Sequence, residues 1–160
     1  FKVSVHLIVA LMIVFGLTLL IYLSDKKIET IQTNSFIKKM SIVVQKIYGF
    51  LINPDEEITY QKGQYKKYIK DVVSGTIERI EFIEETILKH LGNDIDLKKT
   101  DKLLKILLFS AVFELIFRPG TPKNVILSEY VRASEFFLEK AQISYLNAVL
   151  DRLSKVIRKN

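Results

Sequence analysis

Apolar residues recur along most of this chain at steps of three and four, and nowhere do they settle into the two-residue alternation of a half-buried strand. From Ser35 the series Phe36, Ile37, Met40, Val43, Val44, Ile47, Tyr48 and Leu51 predicts an amphipathic helix that stops at Asn53-Pro54. Asp55 to Gly63 is polar and reads as a connection. Tyr65, Tyr68, Ile69, Val72, Val73, Thr76, Ile80, Ile83, Ile87 and Leu91 then keep the rhythm unbroken, predicting a second long helix closed by Gly92-Asn93. Leu103 to Phe117 is almost continuously apolar, too long for a strand and free of Gly and Pro; it predicts a central, mostly buried helix stopped by Arg118-Pro119-Gly120. Thr121-Pro122 offers a cap and a first-turn proline for a helix carrying Val125, Ile126, Val131, Phe136 and Phe137. A last helix is expected from about Ser144, with Tyr145, Leu146, Val149, Leu150, Leu153, Val156 and Ile157 on its apolar side. The expected fold class is all-α, a single compact helical domain over residues 1–160.

Residues 1–34 do not share this amphipathic pattern. No charged side chain occurs between Lys2 and Asp25, and the apolar stretch between them is long enough to cross a bilayer, which takes about 20 residues. A core helix buried on all sides would look the same. A secretory signal peptide fits less well, because no small-residue cleavage site follows. Two readings of residues 5–23 therefore stay open, a buried first helix and a membrane span with Lys26-Lys27 on the cytoplasmic side.

Composition narrows the function classes. The chain of 160 residues is long enough for one core, and 49% hydrophobic against 26% charged residues argues against disorder. The absence of cysteine excludes disulfides and thiolate metal sites and suits a reducing, cytoplasmic setting. Net charge is +6 and is unevenly spread: twelve basic and twelve acidic side chains cancel over residues 1–96, whereas residues 97–160 carry twelve basic and six acidic ones. That half would attract a polyanion such as RNA.

Catalytic signatures fail one by one. His6 and His90 lack partners at metal-ligand spacing, and Gly120-Thr121-Pro122-Lys123 lacks the spacing of a phosphate-binding loop. Glu84-Glu85 and Asp55-Glu56-Glu57 are neighbours that face apart on a helix or lie in a polar loop, and read as solvated charge. The expectation is a non-enzyme without cofactor or metal.

Three blocks in the C-terminal half carry a family resemblance. Leu103 to Leu115 forms a central apolar helix ending in Phe113-Glu114-Leu115; Thr121 to Tyr130 has a proline opening a helix, with Ser128-Glu129 where an Asn-Glu pair is usual. Tyr145-Leu146-Asn147-Ala148-Val149-Leu150-Asp151-Arg152 is similar to an aromatic-Val-Asn-Gly-Val-Leu-Asp-Lys block. Together with a weaker match at Tyr68 to Gly75, where a mid-helix glycine suggests close helix packing, they resemble the NusB family over roughly Tyr65 to Arg158. The family's first helix, an arginine-rich box followed by Ala-Val-Gln-Ala-Leu-Tyr, is matched to Ser4 to Ile13, which lacks the arginines and the Gln; Phe109 stands where the central helix usually has an Arg. Three explanations stay open: a basic box upstream of Phe1, a divergent member with weakened RNA contact, or a first helix turned membrane anchor.

The resemblance implies a transcription antitermination factor. It would bind boxA-like RNA together with the ribosomal protein NusE, within the antitermination complex of RNA polymerase. Carried over from the motif positions, Lys105, Tyr145 and Arg152 are the expected RNA contacts, and Glu129 and Asn147 the expected partner contacts. The alternative is a membrane-anchored helical protein with a span near residues 5–23.

Overall fold

The computed structural model describes residues 35–159, apart from the side chain of Asn93. Six α-helices and one short 3₁₀ turn are present there, and no strand occurs among the described residues. Helix α1 covers residues 35–52, α2 Lys66–Glu78, α3 Ile80–Leu91, α4 Lys102–Phe117, α5 Lys123–Ser134 and α6 Lys140–Ile157. The apolar stretch at residues 5–23 lies outside the described residues. Among these, no helix is long and apolar enough to cross a membrane.

Helix α4 is the axis of the fold. It is apolar on every side, and α2, α3, α5 and α6 all pack against it. Asp101 starts it, its carboxylate accepting from the backbone N–H groups of Leu103 (2.9 Å) and Leu104 (3.2 Å), two of the donors a helix start leaves unpaired. Around it Ile83, Ile87, Ile126, Leu146, Leu150 and Leu153 are sealed from solvent. Each such side chain contributes about 1.5–3 kcal/mol by leaving water. Gly75 explains how α2 comes so near: a Cβ there would overlap the ring of Phe113 on α4.

Four boundaries differ from the sequence expectation. The long helix expected from Tyr65 to Leu91 is broken at Arg79, where φ −120° and ψ 19° turn the chain and the Arg79 N–H reaches Thr76 O at 3.3 Å. The break re-aims α3 so that it reaches α6 as well as α4, yet the apolar period runs straight through it. Helix α6 starts at Lys140 instead of Ser144, because Glu139 and Gln142 form a reciprocal capping box. Pro122 stands at the N-cap of α5 with no side-chain cap, one position before the expected first turn. Phe136 and Phe137 lie beyond α5, in a turn whose N–H groups bond to Ala133 and Ser134 carbonyls.

Candidate nucleic-acid and partner interface

Helix α6 buries Leu146, Val149, Leu150 and Leu153, which leaves Tyr145, Asn147 and Arg152 towards its solvent side. Seven residues bring a helix back to nearly the same direction, so Tyr145 and Arg152 share a face. Asp94, in the 3₁₀ turn after α3, links them. Its Oδ2 is 2.5 Å from Nη1 of Arg152, and its charge, after partial burial, raises the phenol of Tyr145 above its ordinary value. The group is half open: Tyr145 is 37% exposed, and the Arg152 and Asp94 side chains are 55% and 64% exposed. An exposed ring beside a guanidinium can stack on a base and contact a phosphate, although Asp94 already holds the cation.

Lys105 sits on α4, half-buried, with its ammonium 5.2 Å from the centre of the Phe109 ring. Phe109, at the position usual for an Arg, is buried. The two expected partner residues have different surroundings. Asn147 lines a shallow depression with Asn124, Ser128, Arg132 and Glu135 of the α5 side. Glu129 is half-buried and held above the usual carboxylate range, first by burial and then by the charge of Glu114, against the opposing pull of Lys39 and Arg132.

Sequence reasoning missed a polar centre near the C-terminal end of α4. Glu114, 4% exposed, accepts hydrogen bonds at Oε1 from the hydroxyls of Tyr68 (2.5 Å) and Tyr130 (2.8 Å), while Oε2 lies 3.7 Å from Nε of Arg118. Burial, and then the charge of Glu114, pushes both phenols well above their ordinary value, so they stay neutral donors. Arg118 lies over the Tyr68 ring at 5.0 Å and Lys39 at 4.7 Å, and Tyr130 meets Phe36 edge-on. One carboxylate thereby ties α2, α4 and α5 together at a point where α1 also packs. A second clamp is Arg158, whose guanidinium donates to the carbonyls of Glu114 (3.1 Å), Leu115 (2.8 Å), Arg118 (2.8 Å) and Thr121. It closes the carbonyl end of α4. The sequence signal for the first centre was present in the Glu-Leu that ends the central block; for Arg158 there was none.

These features define the class as an all-helical domain packed around one buried central helix. The family model described as "NusB family" matches residues 31–155. The chain is 33% identical over 121 residues to the transcription antitermination protein NusB of Rickettsia akari, covering 72% of this chain and 77% of that protein. It is 34% identical over 92 residues to the protein of the same name from Mesorhizobium japonicum, covering 58% and 59%. Against that of Rickettsia massiliae the figures are 35% over 88 residues, 55% and 56%, so the chain spans little more than half the length of these last two relatives. Among solved structures, T. maritima NusB superposes with a TM-score of 0.65 at 19% identity, covering 75% of this chain and 90% of that one. The chain belongs to the NusB family.

The family match begins at residue 31, so Ser4 to Ile13 lies outside it. Within the match, Val44-Gln45-Lys46-Ile47-Tyr48 of α1 also shows a Val-Gln, apolar, Tyr spacing, with Lys38 and Lys39 before it.

Proposed function

We propose that this chain is a transcription antitermination factor acting in the cytoplasm, binding boxA-like single-stranded RNA jointly with the ribosomal protein NusE in the antitermination complex of RNA polymerase. The observation that carries the RNA half is the Tyr145–Arg152 face of α6, an exposed ring and a guanidinium one helical face apart around Asp94. Tyr145 stacks on a base, Arg152 and Lys105 contact phosphate, and base identity is read on an unpaired strand, as single-stranded recognition requires. Asn147 and Glu129 are assigned to the protein partner. The exposed apolar end of α1, with Leu51 and Ile52 42% and 58% exposed, gives that partner an apolar surface to cover.

The test is fluorescence anisotropy with a boxA-like RNA, with and without NusE. Tyr145→Ala should weaken binding by about 1–3 kcal/mol. Lys105→Ala and Arg152→Ala should weaken it regardless of sequence and flatten its salt dependence by about 0.7 per contact in logarithmic slope. Normal RNA affinity in all three variants, or a Tyr145→Ala chain that unfolds, would return these residues to a structural role.

A further inference from the structure

Helix α3 ends at Leu91, and Gly92 leaves it at φ 54° and ψ −126°, a left-handed φ that glycine adopts without strain. The 3₁₀ turn Gly92–Asp94 that follows stands between two buried side chains, Leu91 before it and Ile95 after it. Asp94 is therefore the exposed end of a short turn pinned on both sides, and α3 itself packs against α6. Arg152 is held as firmly, since Leu150 and Leu153 on either side of it are sealed in the core. The backbone on each side, and not the ion pair alone, brings these two side chains together.

That placement puts a carboxylate where a phosphate would bind. Oδ2 of Asp94 lies 2.5 Å from Nη1 of Arg152, so one guanidinium nitrogen is already taken by an anion. A phosphate oxygen approaching the same nitrogen has to displace it. When the pair opens only side chains rotate, and the pinned turn keeps the acid close to whatever replaces it. The charge of Asp94 also reaches Tyr145, whose phenol is raised first by burial and then by this carboxylate. One acid thus acts on two of the groups assigned to RNA. The neighbouring pair differs in kind: Lys155 and Asp151 are four residues apart within α6, whereas Asp94 is supplied by another element, 58 residues before Arg152.

We propose that Asp94 is a built-in competitor for RNA phosphate at Arg152, holding the RNA affinity of the α6 face below what its cation would otherwise give. The inference rests on the RNA reading of that face. Fluorescence anisotropy of the full chain with a single-stranded boxA-like RNA, without a protein partner and across a salt series, tests it. At about 0.1 M salt, where charges are screened over about 10 Å, Asp94→Asn should tighten binding by about threefold to fivefold. The gain should grow at lower salt, with a logarithmic salt slope steeper by up to about 0.7. The sign is diagnostic, because a residue that only braced Arg152 would weaken binding when changed. Asp94 is exposed, so the Asn variant should melt close to the unmodified chain. Glu81→Gln makes the same change of charge in the first turn of α3, about 15 Å from the end that leads to Asp94, and should leave affinity unchanged. Added to Arg152→Ala, Asp94→Asn should bring no comparable gain, since the cation it competes for is gone. If Arg152→Ala binds RNA as the unmodified chain does, the RNA reading of the face fails and this inference with it. If Arg152→Ala weakens binding but Asp94→Asn does not tighten it, or Glu81→Gln tightens it equally, the RNA reading stands and the competitor role is overturned.

Discussion

Removing Glu114 should damage this fold more than removing any exposed charge, and the size of the effect follows from its partners. Glu114→Ala strips the acceptor from two phenols, Tyr68 and Tyr130, and leaves Arg118 without its carboxylate. A buried donor left unmet costs about 1–3 kcal/mol, and breaking a buried charged group away from its partners typically costs about 3–5 kcal/mol in total. Glu114→Gln keeps an oxygen where both hydroxyls point and loses only the charge. A hydrogen bond to a charged acceptor is worth about 1.5–3 kcal/mol against about 0.5–1.5 kcal/mol for a neutral one, so two such bonds should lose about 2 kcal/mol. Urea unfolding followed by far-ultraviolet circular dichroism measures both as shifts in midpoint at constant slope. Since a domain of this kind holds about 5–15 kcal/mol, the Gln variant stays folded and decides the matter even where the Ala variant does not. Equal midpoints for the Gln variant and the unmodified chain would refute the argument that charge-assisted bonds hold this centre.

Arg158→Ala should cost about 2–3 kcal/mol in the same assay, and Arg158→Lys should recover little of it, because an ammonium cannot reproduce a planar fork bonded to four carbonyls. Ser110 is sealed from solvent and its hydroxyl has no partner, so Ser110→Ala should raise stability by about 1 kcal/mol, read as a higher melting temperature. Gly75→Ala should destabilise despite alanine's better helix propensity, because the new methyl meets the Phe113 ring; an unchanged melting temperature would contradict that packing. Tyr68 and Tyr130 titrate near pH 10 in the unfolded chain and well above it in the fold. Above pH 10 the unfolded chain sheds protons that the fold retains, so stability should fall with rising pH by up to about 1.4 kcal/mol per unit for each phenol, and Tyr68→Phe should lessen that slope.

What the sequence made legible is what periodicity and termini encode. The all-α class, the buried central helix, Gly75 as a close-packing position and the stops at Gly92 and Arg118-Pro119-Gly120 all follow from one-dimensional patterns. The break at Arg79 was illegible because apolar steps of three and four continue across it, and no Gly, Pro or capping residue marks the turn. The start of α6 was missed because its box uses Glu139 where a Ser or Thr is usual. At the candidate interface, the motif supplied Tyr145 and Arg152, but not Asp94, which lies 58 residues before Arg152 in the chain and meets it only through the fold.

Asp94 also bears on how RNA and a protein partner would cooperate at α6. Its bond to Arg152 is short, but both side chains are more than half exposed, so the pair contributes no more than about 1 kcal/mol and a phosphate can displace it at small cost. Displacement does not remove the carboxylate, which stays beside the phosphate and opposes it. Lys155 gives no relief, because its ammonium is 2.6 Å from Asp151 one turn earlier. The cations of this helix face are thus held by acidic neighbours and partly neutralised by them, so the RNA binding proposed for this face should be weak without a partner. A partner that engages Asp94, through a cation or a backbone donor, would free Arg152 for phosphate and remove the repulsion in the same step. On the proposed function, joint binding would need no change of fold, since the coupling would be the interaction of Asp94 with each ligand in turn.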